Sequence, residues 1–224
     1  MTVDIGLSTL CVGFVFFVRR AFNWGIYAVL VAAPLVRETG FLLVAGYVLY
    51  LLWNRRIRFA LLFATAAVPA VAWYLFVQWH TTSYPAAWFS LVPLKGLVGR
   101  VLHPVVYPFS PLVSWAATIL DYAALAGVLL AIVLAVKMGF EHGTGPIEIG
   151  VYLFALVAAF LSFPDSWRDA YGFARPITPL LILLAMSGLA RGSLIWLVPM
   201  ALIVPRIGLQ FGPQIIGVVH GLLS

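Results

Sequence analysis

The class of fold is decided by residues 112–136, LVSWAATILDYAALAGVLLAIVLAV, which form one apolar run with a single charged residue, Asp121. A helix needs about 20 apolar residues to cross a hydrocarbon core of about 30 Å, and this run exceeds that length. Residues 59–79 form a second run that is long enough. Both runs predict helices that cross a membrane.

Shorter apolar runs fill most of the remaining chain. They lie at 5–18, 21–36, 39–53, 149–163, 177–190 and 193–204, with a weaker one at 207–224. Runs of this length must borrow flanking residues or belong to broken helices that neighbours shield from lipid. We therefore predict an all-α, polytopic transmembrane helix bundle of about 7–8 spans, several of them short or broken. Residues 1–224 are predicted to form a single membrane domain.

Composition agrees with a membrane protein and excludes most other classes. The chain has 224 residues, of which 64% are apolar and 9% charged. A soluble domain has roughly 45–50% apolar and about 25% charged residues. The net charge of +6 does not favour nucleic acid as a partner, because the basic residues flank apolar runs in small groups. The lone cysteine, Cys11, lies inside an apolar run, which excludes a disulfide framework.

The basic clusters predict the orientation in the membrane. Arg19-Arg20 and Arg55-Arg56-x-Arg58 are the densest clusters and are placed in the cytoplasm, so the pair Arg37-Glu38 falls on the opposite face. Alternation then puts the loops at about 80–111 and 164–176 outside. Either the alternation fails somewhere, or the cations that it places outside have a role other than topology. These are Arg37, Lys95, Arg100, Arg168, Arg175 and Arg206.

The pair Arg37-Glu38 is the first candidate for chemistry, because it interrupts apolar residues from Ala21 to Trp53. One interpretation is a helical hairpin with a charged turn that Thr39-Gly40 complete. The other is a binding site in which Arg37 holds a phosphate or carboxylate and Glu38 orients Arg37, since guanidinium forms bidentate bonds to such groups.

The loop at 164–176 carries the second candidate set. Asp165, Arg168, Asp169 and Arg175 lie within thirteen residues. They are either local ion pairs in a solvated loop or part of a site, with Arg175 placed before Pro176 at the mouth of a span, where it can reach a lipid phosphate. Two carboxylates could hold a divalent cation but are too few for a protein-only cage, so we predict no cofactor, with a divalent cation as the alternative.

Asp121 is the third candidate. If residues 112–136 cross as one helix, this acid is buried in the outer half of the membrane, which by default marks a functional site. Alternatively the span begins late, and Asp121 is interfacial with Ser114 or Thr118 as its partner. Arg100 is predicted to be an interfacial rim residue.

Two stretches resemble a known family. The first runs from a short span through Arg37-Glu38-Thr39-Gly40 and Phe-Leu-Leu to the basic turn Asn54-Arg55-Arg56 and a proline-bearing span that ends in Trp73-Tyr74. The second is the arginine-then-proline stretch from Tyr171 to Pro176, which leads into Ile177-Thr178-Pro179-Leu180. Both resemble the later transmembrane half of polyprenol-dependent membrane glycosyltransferases of the GT-C superfamily.

The resemblance implies a protein of the cell envelope, in a bacterial plasma membrane, that takes a polyprenyl-phosphate-linked sugar at the non-cytoplasmic face. Arg37, Glu38, Asp165, Arg168, Asp169 and Arg175 would be its substrate-binding residues. Such enzymes place a catalytic acid in a large external loop after the first span, and this sequence shows no such loop. We therefore expect the C-terminal half or a split subunit of such an enzyme, with a second membrane subunit as a further partner. The rival functions are a non-enzymatic subunit or scaffold of a membrane complex and, less favoured, a transporter with Asp121 as its intramembrane acid.

Overall fold

The computed structural model describes the backbone of residues 2–81, 88–107, 110–168 and 170–223. Within these ranges the side chains of residues 2–4, 142, 170–171, 210 and 212–223 are not described. The described backbone is helical along most of its length, which confirms the predicted all-α class. Its α-helices are α1 (Thr2–Arg19), α2 (Asn23–Val36), α3 (Phe41–Trp53), α4 (Ile57–Ala64), α5 (Val68–His80), α6 (Lys95–Leu102), α7 (Pro111–His142), α8 (Pro146–Phe160), α9 (Pro164–Trp167), α10 (Ala170–Ala190) and α11 (Val198–Leu223).

Three helical stretches in the described part of the chain are long and apolar enough to cross a membrane: Ile57–His80, Pro111–Glu141 and Gly172–Ala190. The first joins α4 to α5 through the 3-10 turn Thr65–Ala67. The other apolar helices have 10–17 residues. The structure therefore supports a helical membrane bundle, but by helix length it supports three spans and not the predicted 7–8.

The outer surface of the bundle fits a lipid solvent. Along Ile57–His80 large apolar side chains are exposed, among them Leu61, Leu62, Trp73 and Phe76. Soluble monomers rarely expose contiguous apolar patches of this kind, because water opposes them. We infer that this helical stretch faces lipid.

Helix α10 corrects the predicted loop at 164–176. The helix begins at Ala170, so Arg175 and Pro176 lie within its first turns and not in a loop before it. Pro176 and Pro179 remove two backbone donors from the helix, but membrane helices tolerate prolines where neighbouring groups compensate. The hydroxyl of Thr178, which lies between the two prolines, donates to the carbonyl of Ala174 at 2.7 Å.

Close helix crossings organise the bundle. Helix α7 packs along α11, and α3 crosses α8. At the second crossing a Cβ atom added to Gly46 would lie 3.2 Å from the backbone nitrogen of Gly150. Small residues at such crossings let two backbones approach and gain van der Waals contact, which is the main source of helix association in lipid.

Candidate functional site

The hairpin between α2 and α3 forms one wall of a cavity with a charged lining. Helix α2 ends at Val36, Arg37 is extended, and a 3-10 turn over Glu38–Gly40 leads into α3. The predicted helical hairpin with a charged turn is therefore present. Gly40 closes it tightly, because a Cβ atom added there would lie 2.2 Å from the carbonyl carbon and oxygen of Ala33. This close approach of Gly40 to α2 fixes the direction of the turn. It therefore also fixes where the cavity wall begins.

We call this space the hairpin cavity. Its volume is about 600 Å³. Helix α10 faces the hairpin across it and contributes Arg175, while the segment around α9 contributes Asp165 and Ser166. The cavity therefore brings together residues that lie more than a hundred positions apart in the sequence. The complete lining is Arg37, Glu38, Thr39, Trp88, Phe89, Val157, Leu161, Phe163, Asp165, Ser166, Gly172, Arg175 and Pro176.

A further wall of the hairpin cavity is the short extended segment around Trp88 and Phe89, which the sequence analysis did not identify. Backbone bonds hold it to the end of α8, with the amide of Ser162 donating to the carbonyl of Trp88 at 3.0 Å and the amide of Ser90 donating to the carbonyl of Phe160 at 3.0 Å. The ring of Trp88 packs on that of Phe163 with centroids 4.3 Å apart. The clustered aromatics of the loop at 80–111 were the available signal, but the sequence does not show which backbone they pair with.

The structure places the predicted substrate-binding residues as follows. Arg37, Glu38, Asp165 and Arg175 all line the hairpin cavity. Arg168 does not line it and faces a different cavity with Lys95 and Arg100. Asp169 lies outside the described residues.

The charges around the hairpin cavity are arranged by depth. Arg37 and Arg175 are partly buried, whereas Glu38 and Asp165 are exposed. Solvent and salt screen exposed charges more strongly than partly buried ones, so the two arginines dominate the field inside the cavity. Thr39 also lines the cavity, and its hydroxyl oxygen is buried without a hydrogen-bond partner. The arrangement offers guanidinium donors for an anion, with carboxylate acceptors at the rim for hydroxyl groups.

A second constellation, the Asp121 cluster, comprises Arg100, Tyr107, Asp121 and Arg206. Arg100 Nη2 donates to Asp121 Oδ2 at 2.6 Å, and Arg206 Nε donates to Asp121 Oδ1 at 2.7 Å. Arg100 is 6% exposed, and Asp121 and Arg206 are each 4% exposed. Arg100 is therefore not an exposed rim residue, because it lies buried against the carboxylate of Asp121. That it lies at the level of the membrane interface stays a prediction.

Tyr107 completes this cluster. Its hydroxyl donates to Asp121 Oδ2 at 2.5 Å and accepts from Arg206 Nη2 at 2.9 Å. Burial, followed by the hydrogen bond to Asp121, raises the pKa of the Tyr107 phenol above its usual value, against the opposing effect of Arg206. The phenol is therefore neutral at physiological pH. Neither Ser114 nor Thr118, the partners considered from the sequence, bonds to Asp121, since the Thr118 hydroxyl donates to the Ser114 carbonyl.

Among the described residues, no group of three or more His, Cys, Asp or Glu side chains is placed to hold an ion.

Comparison with known proteins gives no family assignment. No protein-family model, no curated protein and no solved structure matches the chain. Functional inference therefore rests on the residues and geometry described above.

Proposed function

We propose that the chain is a glycosyltransferase-like membrane protein, the C-terminal half or a split subunit of such an enzyme. In this proposal it binds a polyprenyl-phosphate-linked sugar in the hairpin cavity, at the non-cytoplasmic face of a bacterial plasma membrane. The observation that carries the proposal is that Arg37 and Arg175 line one cavity. Arginine pairs with phosphate through a planar fork of donors, and two arginines from different segments of the chain can hold one phosphate from two sides.

The rest of the lining is compatible with a sugar phosphate. Glu38 and Asp165 can accept hydrogen bonds from sugar hydroxyl groups, while Arg37 and Arg175 take the phosphate. Trp88, Phe89 and Phe163 add apolar surface beside these polar groups. Sites for small molecules combine an apolar lining with a few placed polar groups in this way.

We further propose that the shorter apolar helices also cross the bilayer, which gives 7–8 spans. Helices of 14–16 residues can do so where the bilayer thins locally or where neighbouring helices shield their ends. This topology puts Arg37, Asp165 and Arg175 on the side opposite the basic turn at Asn54.

Cysteine labelling tests that topology. In a Cys11→Ala background, a membrane-impermeant maleimide should modify Ser166→Cys in intact cells and Asn54→Cys only after permeabilisation. Because Cys11 is fully buried, a small apolar residue is a suitable replacement for it. The opposite labelling pattern would move the hairpin cavity to the cytoplasmic face and contradict the proposed location.

Binding measurements test the site itself. Each charge-assisted hydrogen bond contributes roughly 1.5–3 kcal/mol, so Arg175→Ala and Arg37→Ala should each weaken binding of a short-chain polyprenyl phosphate by about ten-fold or more. Arg175→Lys should restore little of this loss, because Lys lacks the planar fork. Affinity can be measured by isothermal titration calorimetry in an uncharged detergent.

Arg58→Ala is the matched control, because Arg58 is an exposed arginine that does not line the hairpin cavity. Its affinity should equal that of the wild type. If Arg58→Ala and Arg175→Ala lose binding equally, the attraction is non-specific and the scaffold function becomes the better account.

A further inference from the structure

A second cavity adjoins the hairpin cavity along the segment that contains Asp165. We call it the α6 cavity, since α6 provides much of its wall, and its volume is about 500 Å³. Its charged lining is cationic on balance, with three cations against Asp165. Its lining includes Lys95, Gly99, Arg100, His103, Asp165 and Arg168.

Arg100 is the fixed element of this cavity. It is buried, and Asp121 and the carbonyl of His103 hold its Nη atoms, the latter at 3.3 Å from Nη1. Its Nε atom is buried with no hydrogen-bond partner in the structure. Because a buried donor without a partner is costly, the unpaired Nε indicates that a further acceptor belongs near Arg100.

The Asp121 cluster, which includes Arg100 of the cavity lining, has a net positive charge. Asp121 is the carboxylate that bonds both Arg100 and Arg206, and one negative charge cannot neutralise two guanidinium groups. Tyr107 adds no second negative charge, since its phenol is neutral. The cluster thus carries a formal charge of about +1 in a buried setting, where screening is weak.

We propose that the α6 cavity is a phosphate-binding site, separate from the hairpin cavity, with Lys95, Arg100 and Arg168 as its cationic ligands. Lipid is the favoured source of the phosphate. Val98, Val101 and Leu102 of α6 are exposed apolar residues beside the cavity, so an acyl chain can lie along them while the headgroup enters. The inference does not rest on the proposed function, because Arg37 and Arg175 take no part in it.

Gly99 allows a steric test. It lines the α6 cavity, and a Cβ atom added to it would meet nothing within 4 Å. Gly99→Leu should therefore fill the cavity without disturbing the helix. Gly208→Leu is the matched control, because Gly208 is also helical with open space around it and does not line this cavity.

The probes are a short-chain phosphatidylglycerol, the diacylglycerol with the same chains, which lacks the phosphate, and glycerol phosphate, with binding followed by native mass spectrometry of the full chain in an uncharged detergent. Phosphatidylglycerol should bind at about ten-fold higher affinity than the diacylglycerol. Gly99→Leu and the Lys95→Ala/Arg168→Ala double variant should each lose about ten-fold, whereas Gly208→Leu and Arg58→Ala should bind as the wild type does. Circular dichroism melting checks that each variant is folded.

Two sources of phosphate are distinguished by the same experiment. Glycerol phosphate that binds as tightly as phosphatidylglycerol supports the site and assigns it to a water-soluble phosphate, while weaker binding assigns it to a lipid headgroup. The proposal is overturned if folded Gly99→Leu retains full binding, if the diacylglycerol binds equally well, or if no probe saturates. Because Lys95, Gly99 and Arg168 do not line the hairpin cavity, failure here leaves the proposed function untouched, and the converse also holds.

Discussion

Replacing Asp121 with Ala is expected to destabilise the folded protein by about 3–5 kcal/mol, because the change leaves two buried guanidinium groups without their carboxylate. Both ion pairs are short and their side chains are 5–6% exposed. The free energy of unfolding can be measured by titrating the protein with sodium dodecyl sulfate in mixed micelles.

A second variant distinguishes the effect on stability of losing the cluster from the effect of leaving its charges unbalanced. Removing all three charges at once, as Asp121→Leu with Arg100→Met and Arg206→Met, should recover most of the stability, since no uncompensated charge stays buried. Glu141→Ala is the control for deleting an acid in the same helix. Its ion pair with Lys137 is half-exposed, at 50% and 44%, and such pairs contribute about 0.5 kcal/mol or less. Equal losses for Asp121→Ala and Glu141→Ala would mean that the Asp121 cluster does not stabilise the bundle.

Gly40→Ala is expected to give the second large effect. The added methyl group would lie 2.2 Å from the carbonyl group of Ala33 and 2.5 Å from the backbone nitrogen of Pro34, so the 3-10 turn must move away from α2. Overpacking of this kind costs about 1–3 kcal/mol, and contact with backbone puts this site at the upper end. Since Arg37 and Glu38 adjoin the turn, binding of polyprenyl phosphate should weaken as well.

Gly13→Ala is the matched control for Gly40→Ala. A Cβ atom there would lie 3.5 Å from Val29, which is ordinary van der Waals contact, and Ala favours a helix over Gly by about 1 kcal/mol. This variant should be as stable as the wild type or more so. If both alanine variants unfold at the same detergent concentration, the close approach of Gly40 to α2 does not hold the hairpin.

The lengths of the apolar runs in the sequence were enough to predict the main helices. The run at 112–136 became most of α7, and the run at 59–79 lies within Ile57–His80, because long apolar segments in lipid have few alternatives to helix. The same reasoning failed at 170–176, which the sequence assigned to a loop and the structure places in α10. The prolines of this stretch do not end the helix, because membrane helices tolerate proline where neighbouring groups compensate.

Charged residues in apolar surroundings were also visible in the sequence, but their partners were not. Asp121 was identified because an acid in a long span needs compensation. Its partners Arg100 and Arg206 lie 21 and 85 residues away, at distances over which sequence carries no spacing rule. Arg100 consequently received the wrong environment.

The six cations that alternation placed outside fall into two cavities and one buried cluster. Arg37 and Arg175 line the hairpin cavity, Lys95, Arg100 and Arg168 line the α6 cavity, and Arg206 joins Arg100 at Asp121. The sequence left open whether the alternation fails or these residues have a role beyond topology. Their division between two cavities depends on how the segment at 161–168 folds between them, which only the three-dimensional structure shows.

The central claim is that Arg37 and Arg175 bind one phosphate in the hairpin cavity. The most direct measurement is an electron cryo-microscopy map of the protein, enlarged by a bound antibody fragment, with a short-chain polyprenyl phosphate present in excess. The account predicts phosphate density within hydrogen-bonding distance of both guanidinium groups, with the prenyl chain leaving beside Trp88. Phosphate density elsewhere in the protein, with the hairpin cavity empty at saturating ligand, would contradict it.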